Sequence, residues 1–480
     1  MKKKSYIRML TENLSYAYVS QIVSTLVSIC FTLLVPKILG VEGYGYWQLI
    51  VFYATYLGVF YLGINDGIYL KNGGKTLEEI DKTSISSISK LFFIIHSVIA
   101  VLLIIAVTFF VEDANRSFVL IMTAIYLPLM NIKGLYGHLF QAVNKTKIYS
   151  ISLIIDKIVI LLAVLFGLTA QINNFRFYVS FYVIGAAVAT AYCCYQAKEI
   201  IKLKAKSIRE TLLDAFSALK AGLPLMLSSI TAIMITGVTR QIIDMRWDIK
   251  DFSKISLSLT MMNFVLVFLN QSSLVLFPAI RKIQNNAQIE LYSYANKCLN
   301  IVLPFLFIFY VPVGTLVELW LPDYTESVKF LGVLLPICIF DGKMNLINNT
   351  FYKVLRLEKK LFAINIATFL LNLTISLISA YIFENINYMA YGLLISIVFR
   401  SVFAELLLNC HIRKSADLTL LIPIASSFVY ILFNILFNKW ESFFGYVIVY
   451  IVTTLIVRKV LIKNFKGVKT ILKQANKSIK

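Results

Sequence analysis

Ten charged side chains lie within or at the ends of long apolar stretches, where ionic groups are rare. A charge inside a membrane span costs roughly 2.5 to 3.5 kcal/mol on insertion scales, so it persists mainly where it faces a bundle interior, a partner or water. The cations suit an anionic ligand, and the carboxylates suit pairing or ion coupling. The ten are Lys37, Lys133, Lys157, Arg240, Lys343, Arg400, Asp66, Asp156, Asp341 and Glu405.

The elements that must position these charges are apolar stretches of about 20 residues, the length that crosses a hydrocarbon core. The 480 residues are 59% hydrophobic and 15% charged, with a mean hydropathy of +0.78, which excludes a soluble globular protein. Such long apolar runs suit helices rather than barrel strands. The sequence therefore predicts an all-α polytopic membrane protein of about fourteen transmembrane helices, the first being a retained span rather than a signal peptide.

The distribution of basic residues predicts the orientation of these helices. With the N-terminus in the cytoplasm, about 33 of the 46 Lys and Arg residues fall on inside segments. Trp47, Trp247, Trp320 and Trp440 then fall near the outer face, where Trp anchors in the interfacial belt. Both termini are therefore expected inside, and the net charge of +21 is interpreted as an orientation signal rather than a nucleic-acid footprint.

This topology places all of the ten charges except Lys37 and Arg240 in the cytoplasmic half of the spans. It predicts a polar vestibule that is open to the inside, where four cations would capture an anionic headgroup and pass it to Lys37 and Arg240 near the outer ends of spans one and seven. The four are Lys133, Lys157, Lys343 and Arg400. The alternative is that these cations only pair across helices with the four inner acids.

The chain divides around a basic segment, with six spans before it and eight after. The predicted organisation is an N-terminal six-helix lobe (1–197), a basic cytoplasmic linker (198–221), a C-terminal six-helix lobe (222–410), and two additional helices with a basic tail (411–480). The two lobes are expected to be pseudo-symmetric, because segments 63–66 and 270–273, and the charges Lys133 and Lys343, recur at similar offsets. Transporters built from repeats bind substrate at the repeat interface.

Two non-spanning segments carry apolar residues at helical spacing among lysines. The first contains Ile201, Ile208, Leu212, Phe216 and Leu219, and the second contains Leu461, Phe465, Val468 and Leu472. Such segments are typical of helices on the inner leaflet, where anionic lipid attracts each basic residue by about 1 kcal/mol. The alternative is that they bind a protein partner.

The remaining residues point to no enzyme, cofactor or metal. The six cysteines lie in apolar segments without C-x-x-C spacing and are interpreted as packing residues. His96, His138 and His411 are expected to form structural hydrogen bonds. No phosphate-binding loop, nucleophile elbow or H-E-x-x-H motif occurs, so energy for transport must come from a gradient or a partner.

The segments PKILGVEGYGYWQL and GINDGIYLKNGG, at residues 36–49 and 63–74, resemble the bacterial polysaccharide-unit flippases of the multidrug/oligosaccharidyl-lipid/polysaccharide exporter superfamily. The resemblance implies that undecaprenyl-diphosphate-linked oligosaccharide is moved from the inner to the outer leaflet of the cytoplasmic membrane, for surface polysaccharide biosynthesis, by alternating access. A polysaccharide polymerase and other assembly proteins are then expected partners. The cations would bind the diphosphate, and Asp66, Asp341, Asp156 and Glu405 would serve in coupling or gating.

Two other functions are weighed against this one. A cation-coupled multidrug exporter of the same superfamily would concentrate acids in its cavity, whereas the inner cations here equal the inner acids, which favours an anionic substrate. A membrane glycosyltransferase would carry long loops on one face, and the longest outer loop here is about a dozen residues around Trp247. The driving force stays open between the membrane potential and proton or sodium antiport through Asp66 or Asp341.

Overall fold

The computed structural model describes residues 2–281, 285–414 and 417–477, with side chains described for 21–267, 269, 280, 287–414 and 417–471. Every regular element in this part of the chain is a helix. This confirms the predicted all-α class, and the physical reason is that a backbone in lipid must pair its polar groups within the segment. The chain forms two compact units, Met1–Ile230 and Thr231–Lys480.

The first unit contains seven helices and the beginning of an eighth. They are α1 Lys2–Tyr56, α2 Ile64–Asn72, α3 Lys82–Phe110, α4 Ala114–Ala142, α5 Thr146–Thr169, α6 Phe175–Gln196, α7 Lys198–Ile201 and α8 Ile208–Arg246. Helix α1 bends at Gly40, whose φ of 66° is a conformation that favours glycine. The bend falls in a glycine-rich segment that also contains Gly43 and Gly45. A 3₁₀ turn at Leu57–Tyr61 then separates α1 from α2.

The second unit contains the rest of α8 and eleven further helices. They are α9 Ile249–Arg281, α10 Asn285–Val302, α11 Tyr310–Trp320, α12 Thr325–Leu334, α13 Pro336–Lys343, α14 Asn349–Val354, α15 Glu358–Tyr381, α16 Ile386–His411, α17 Leu421–Leu436, α18 Lys439–Ile456 and α19 Arg458–Lys477. A π-helical turn, Met344–Asn348, joins α13 to α14.

Eleven helices in the described residues are long and apolar enough to cross a membrane, or twelve when the pair bent by 46° at Leu335 counts as one. The expected count of about fourteen is not confirmed. One helical stretch, Gln21–Tyr61, contains the larger part of each of the first two predicted spans, near 14–36 and 46–70. Helix α9 carries the predicted eighth span, but its side chains at 270–279 lie outside the described residues, including the proposed counterpart of 63–66.

The connections of the first unit gather at two opposite ends. At one end Arg176 donates to the Asn115 side chain at 3.0 Å, and Tyr46 donates to Asp113 at 3.1 Å. At the other end the Lys90 ammonium donates to the carbonyl of Leu203 at 2.6 Å. Successive connections therefore alternate between the two ends, as antiparallel helices require.

The tryptophans only partly fit the prediction of an interfacial belt. Trp47 is 5% exposed and packs edge-on against Tyr182, with ring centroids 5.6 Å apart, so it is a core residue. Trp320 and Trp440 are 42% and 53% exposed, as interfacial anchors would be. Length and composition could not separate these cases, because a buried helix face and a lipid-facing one are equally apolar.

The two amphipathic segments differ from the predicted surface helices. The first is not one helix: the chain leaves the helical conformation after Ile201, and α8 then runs without interruption from Ile208 into the span. The second is a helix, α19, but Val468 and Ile471 pack into the core of the second unit beside α10. Phe465 remains exposed, and the side chain of Leu472 lies outside the described residues.

Candidate functional site

Helices α4 and α5 bring together the first pair of predicted site residues. The Lys133 ammonium lies 2.9 Å from a carboxylate oxygen of Asp156, and both side chains are largely buried. Tyr126 stacks on Tyr182 with ring centroids 5.1 Å apart. These rings and Tyr149 are close enough to Asp156 to interact with it electrostatically.

Lys157, the next residue on α5, is half-buried and forms no hydrogen bond or ion pair with the described residues. It interacts electrostatically with Asp156 and Lys133. We refer to these residues together as the lysine–tyrosine cluster: Lys133, Asp156, Lys157, Tyr126, Tyr149 and Tyr182. The cluster holds two ammonium groups against one carboxylate and therefore carries an excess positive charge.

Two glycines allow the helices of this cluster to approach. A Cβ added at Gly137 of α4 would overlap the ring of Tyr149. A Cβ added at Gly185 of α6 would lie 3.0 Å from the carbonyl oxygen of Asp156. The glycines therefore place the tyrosine ring and the carboxylate against neighbouring helices.

In the second unit, helices α13 and α16 are joined by two ion pairs of opposite polarity. Asp341 of α13 accepts from the Arg400 guanidinium at 2.9 Å, and Asn365 accepts from the same guanidinium at 2.9 Å. Two residues further along α13, Lys343 pairs with Glu405 at 2.5 Å. Four of the predicted inner charges are thus satisfied by one another.

The Lys343–Glu405 pair is fully buried and sits within a hydrogen-bonded network. Lys343 also donates to the side chain of Asn300 at 2.9 Å, and Asn296 donates to the second oxygen of Glu405. The π-helical turn begins directly after Lys343, and π-turns are frequent at functional sites. The pair lies away from solvent, so a direct contact of Lys343 with substrate requires this network to open.

Asp66 lies in the first turn of α2, where it accepts a hydrogen bond from Tyr61 at 3.0 Å. Its second oxygen is 3.9 Å from Nδ1 of His138 on α4. Asp66 therefore belongs to a local Tyr–Asp–His group, and it contacts none of the six predicted cations among the described residues. His96, by contrast, hydrogen-bonds the backbone carbonyls of Phe92 and Phe60, which agrees with the expected structural role.

Asp66 is placed by a backbone contact between α2 and the first part of α8. The segments Gly63-Ile-Asn-Asp-Gly67 and Ala218-Leu-Lys-Ala-Gly222 each have small residues four apart, a spacing that lets membrane helices pack closely. A Cβ added at Gly67 would overlap the carbonyl oxygen of Ala218, and one at Gly222 would overlap that of Gly63. The spacing of small residues is visible in the sequence, but the site residues were predicted from charged side chains alone.

The two predicted outer cations have different surroundings. Lys37 is exposed on α1. Arg240 on α8 donates to Ser256 at 2.9 Å and stacks over the ring of Phe252 at 5.2 Å. Arg240 is therefore held by α9 within the second unit.

A buried group of uncharged polar side chains was not found from the sequence. Asn372 donates to Thr239 at 2.8 Å, Ser396 donates to Asn372 at 3.4 Å, and Thr239 lies 3.3 Å from Ser376. All four side chains are buried. The available signal was the spacing of Asn372 and Ser376, which puts both on one face of α15.

Outside the spans, Lys206 fixes the connection between α7 and α8. Its ammonium lies 2.7 Å from Asp81 and 2.9 Å from Asp214. The hydrogen bond from Lys206 holds the pKa of Asp81 below its usual value, and the same bond raises the pKa of Lys206. Both charges are therefore present together over a wide range around neutral pH.

We expect this connection to loosen in acid and in strong base. Because the pKa of Asp81 is lowered in the folded protein, the contact contributes its full stability above about pH 3.9, the pKa of an unperturbed aspartate. This contribution disappears as the pH falls through the folded-state pKa. Because the pKa of Lys206 is raised, its contribution to stability is complete below about pH 10.4, the pKa of an unperturbed lysine. This contribution is lost as the pH rises through the folded-state pKa. Hydrogen exchange of residues 203–207, corrected for intrinsic rates, should be slow between these limits.

Lys206→Gln should give fast exchange at neutral pH, while Lys204→Gln, at an exposed position nearby, should leave it slow. Protection that is the same in Lys206→Gln and in the unmodified protein would show that the ion pairs do not hold this connection.

Within the described residues, no group of three or more His, Cys, Asp or Glu side chains could hold a metal ion. The long apolar helices and the buried charges on facing helices define a multi-pass helical membrane protein with a polar interior. Ionisable groups inside such spans often mark substrate or ion pathways.

Comparison with solved structures identifies the fold. The chain is similar to the structure described as "Lipid II flippase MurJ, inward closed conformation", with a TM-score of 0.63 and 15% identity over 94% of this chain and 100% of that one. It is also similar to an inward-facing multidrug resistance MATE family transporter of the MOP superfamily, with a TM-score of 0.57 and 12% identity over 83% and 96%. The fold is therefore of the MurJ and MATE type.

Residues 10–284 match the family model described as polysaccharide biosynthesis protein, so the chain belongs to that family. A comparison with curated proteins gave no match.

Proposed function

We propose that the protein translocates undecaprenyl-diphosphate-linked oligosaccharide repeat units from the inner to the outer leaflet of the cytoplasmic membrane, by alternating access, for surface polysaccharide biosynthesis. Membership of the polysaccharide biosynthesis family and the MurJ- and MATE-type fold support transport of a lipid-linked sugar rather than enzymatic catalysis. The distribution of basic residues supports a cytoplasmic position for both termini. A polysaccharide polymerase is an expected partner on the outer side.

The observation that carries the proposal is Lys157. Its ammonium lies on a membrane-spanning helix without an ion-pair partner in the described chain, next to the already paired Lys133. An ionic group in this position persists where it faces water or a ligand. A diphosphate supplies the counter-charge that this ammonium lacks.

The rest of the lysine–tyrosine cluster suits the other half of such a substrate. Sugar hydroxyls are costly to bury without hydrogen bonds, so the path must offer polar groups. Tyrosine rings offer an apolar face for a sugar ring and a hydroxyl at the edge. Tyr149 and Tyr182 are partly exposed beside the cations, whereas Tyr126 is buried and supports Tyr182 by stacking on it.

The other predicted residues take supporting roles in this proposal. Lys343 and Arg400 join the substrate path only if their ion pairs open during transport, and Lys37 and Arg240 serve the outward stage. Asp66, Asp156, Asp341 and Glu405 act in coupling or gating through the pairs that they form.

The membrane potential is one of two candidate driving forces for this transport. With the inside negative, moving two negative charges outward gains roughly 4 to 5 kcal/mol per 100 mV. Proton or sodium antiport through Asp66 or Asp341 is the alternative, and a collapse of the potential at constant ion gradients separates the two.

We expect Lys157→Gln to reduce export of lipid-linked repeat units about tenfold, because one hydrogen bond to a charged group is worth roughly 1.5 kcal/mol or more. Export is measured as surface polysaccharide, together with accumulation of undecaprenyl-linked units in the inner leaflet. Lys157→Arg keeps the charge and should retain most of the export.

Lys145→Gln is the matched control, because Lys145 is an exposed residue at the beginning of the same helix, and its export should be unchanged. Normal export in Lys157→Gln would remove the residue from the mechanism. The fold also occurs in a multidrug transporter. Extrusion of a cationic dye, with polysaccharide unaffected by loss of the protein, would replace the proposal with that function.

A further inference from the structure

The second unit contains a polar cavity of about 460 Å³ at the end where α10, α16 and the connection before α17 meet. Its lining includes Tyr292, Asn296, Lys297, Asn409, Lys414 and Asp417. None of these residues belongs to the lysine–tyrosine cluster or to the charges predicted from the sequence. The cavity was not predicted because its residues come from two distant parts of the chain, 292–297 and 409–418.

The charges around the cavity leave one ammonium uncompensated. Lys297 is paired with Asp417 at 2.9 Å. Lys414 donates to the carbonyl of Ile289 at 3.4 Å and forms no ion pair with any described residue. Burial lowers the pKa of Lys414, and Glu290 opposes this effect from a distance. The lining residues therefore carry one more positive than negative charge, and Lys414 is a cation with which a ligand could pair directly.

Two buried polar side chains at the cavity have hydrogen-bonding atoms without a partner among the described residues. Tyr292 is 1% exposed, and its hydroxyl makes no hydrogen bond. Asn296 is 3% exposed, and its side-chain oxygen makes none. A buried polar group without a partner costs about 1–3 kcal/mol. The Tyr292 hydroxyl can donate to a ligand oxygen, whereas the Asn296 oxygen can only accept, from water or from a ligand hydroxyl.

The surroundings of the cavity place it beside lipid. Leu418 lines it and is 81% exposed, and Leu421, at the beginning of α17, is 58% exposed. In a membrane protein such leucines face acyl chains. A ligand that enters the cavity with its polar part can therefore keep an apolar part in the bilayer.

We propose that this cavity binds the phosphate group of an anionic lipid, with Lys414 as the counter-charge and Tyr292 and Asn409 as neutral hydrogen-bond donors. A divalent cation is disfavoured by the two lysines, and a neutral sugar would not use the uncompensated ammonium. Free inorganic phosphate offers the same chemistry without acyl chains. The site goes beyond the proposed transport function, because lipid can bind it whether or not the protein is transporting.

The cavity is connected to the buried charges of α13 and α16. Asn296 lines it and also donates to Glu405, the partner of Lys343. On the other side Lys343 donates to Asn300, which donates to Thr419 at 3.2 Å, next to the Asp417–Lys297 pair. A phosphate bound beside Asn296 thus acts on the same network that holds the Lys343–Glu405 pair.

The test uses the full-length protein in detergent micelles and the binding of acyl-chain-labelled phosphatidylglycerol, followed by fluorescence anisotropy. Lys414→Gln should weaken binding about tenfold, the loss expected when one hydrogen bond to a charged group is removed. Arg413→Asn removes an exposed positive charge one residue away, at a φ of 56° that Asn tolerates, and should change binding less than about twofold.

Inorganic phosphate should compete with phosphatidylglycerol, and labelled diacylglycerol, which lacks the phosphate, should bind without sensitivity to Lys414→Gln. Binding of inorganic phosphate that depends on Lys414, with phosphatidylglycerol insensitive to it, would overturn the lipid as the source of the phosphate. Equal binding of both probes to Lys414→Gln and to the unmodified protein would overturn the site. The lipid measurement does not depend on transport, so it is independent of the test of Lys157.

Discussion

Replacement of Lys343 by Met is expected to lower the free energy of unfolding by about 3 to 5 kcal/mol. The substitution keeps the volume of the side chain but leaves the Glu405 carboxylate without a counter-charge in a site where both partners are 0% exposed. The side-chain oxygen of Asn300 loses the hydrogen bond from Lys343 at the same time. The change is measured as the loss of monodisperse protein in detergent on heating, compared with the unmodified protein.

The double variant Lys343→Met, Glu405→Leu should recover much of this loss, because replacing both members of a buried pair with apolar residues is often neutral. Comparison of the double variant with the two single variants, Lys343→Met and Glu405→Leu, then gives the interaction free energy between the two side chains. Lys353→Met, at an exposed lysine in the neighbouring helix, is the control and should be neutral. A single variant as stable as the unmodified protein would contradict the structural role of the pair.

The same variants separate structural from substrate-binding roles of Lys343. If the double variant folds and exports polysaccharide, the lysine acts through stability alone. If it folds and export is lost, Lys343 contributes to the path as the sequence predicts. Stability and export therefore have to be measured on the same preparations.

Gly67→Ala is expected to cost about 3 kcal/mol, the upper end of the usual range for overpacking. The added Cβ would overlap the carbonyl oxygen of Ala218 on α8. A backbone atom cannot move aside by changing a rotamer, so α2 must shift away from α8. Asp66 precedes Gly67 directly, and its contact with Tyr61 should be disturbed as well.

The measurement is thermal stability together with cross-linking of cysteines introduced at Lys71 and Ser217, whose side chains bond across the same two helices. Gly73→Ala is the control, because its added Cβ would meet no atom closer than 3.3 Å and its φ is ordinary. Unchanged cross-linking and stability in Gly67→Ala would mean that α2 and α8 do not pack closely at this point.

Composition and periodicity were enough to predict the class of the protein and several local features. Long apolar runs must form helices in lipid, because no other backbone conformation pairs its own polar groups within one segment. The charges inside the spans were recognised because each costs energy there. These properties depend on short stretches of chain, so the residues within a stretch determine them.

The tertiary structure decided which charges meet. The 3.6-residue period fixes which residues share one face of a helix, but it does not fix which faces of two helices touch. The sequence left direct substrate contact and pairing as alternatives for the inner charges. The fold joins Lys133 to Asp156, Lys343 to Glu405 and Arg400 to Asp341, and it leaves Lys157 without an ion pair among the described residues. Only the packing of α4 on α5 and of α13 on α16 could distinguish the three paired cations from the fourth.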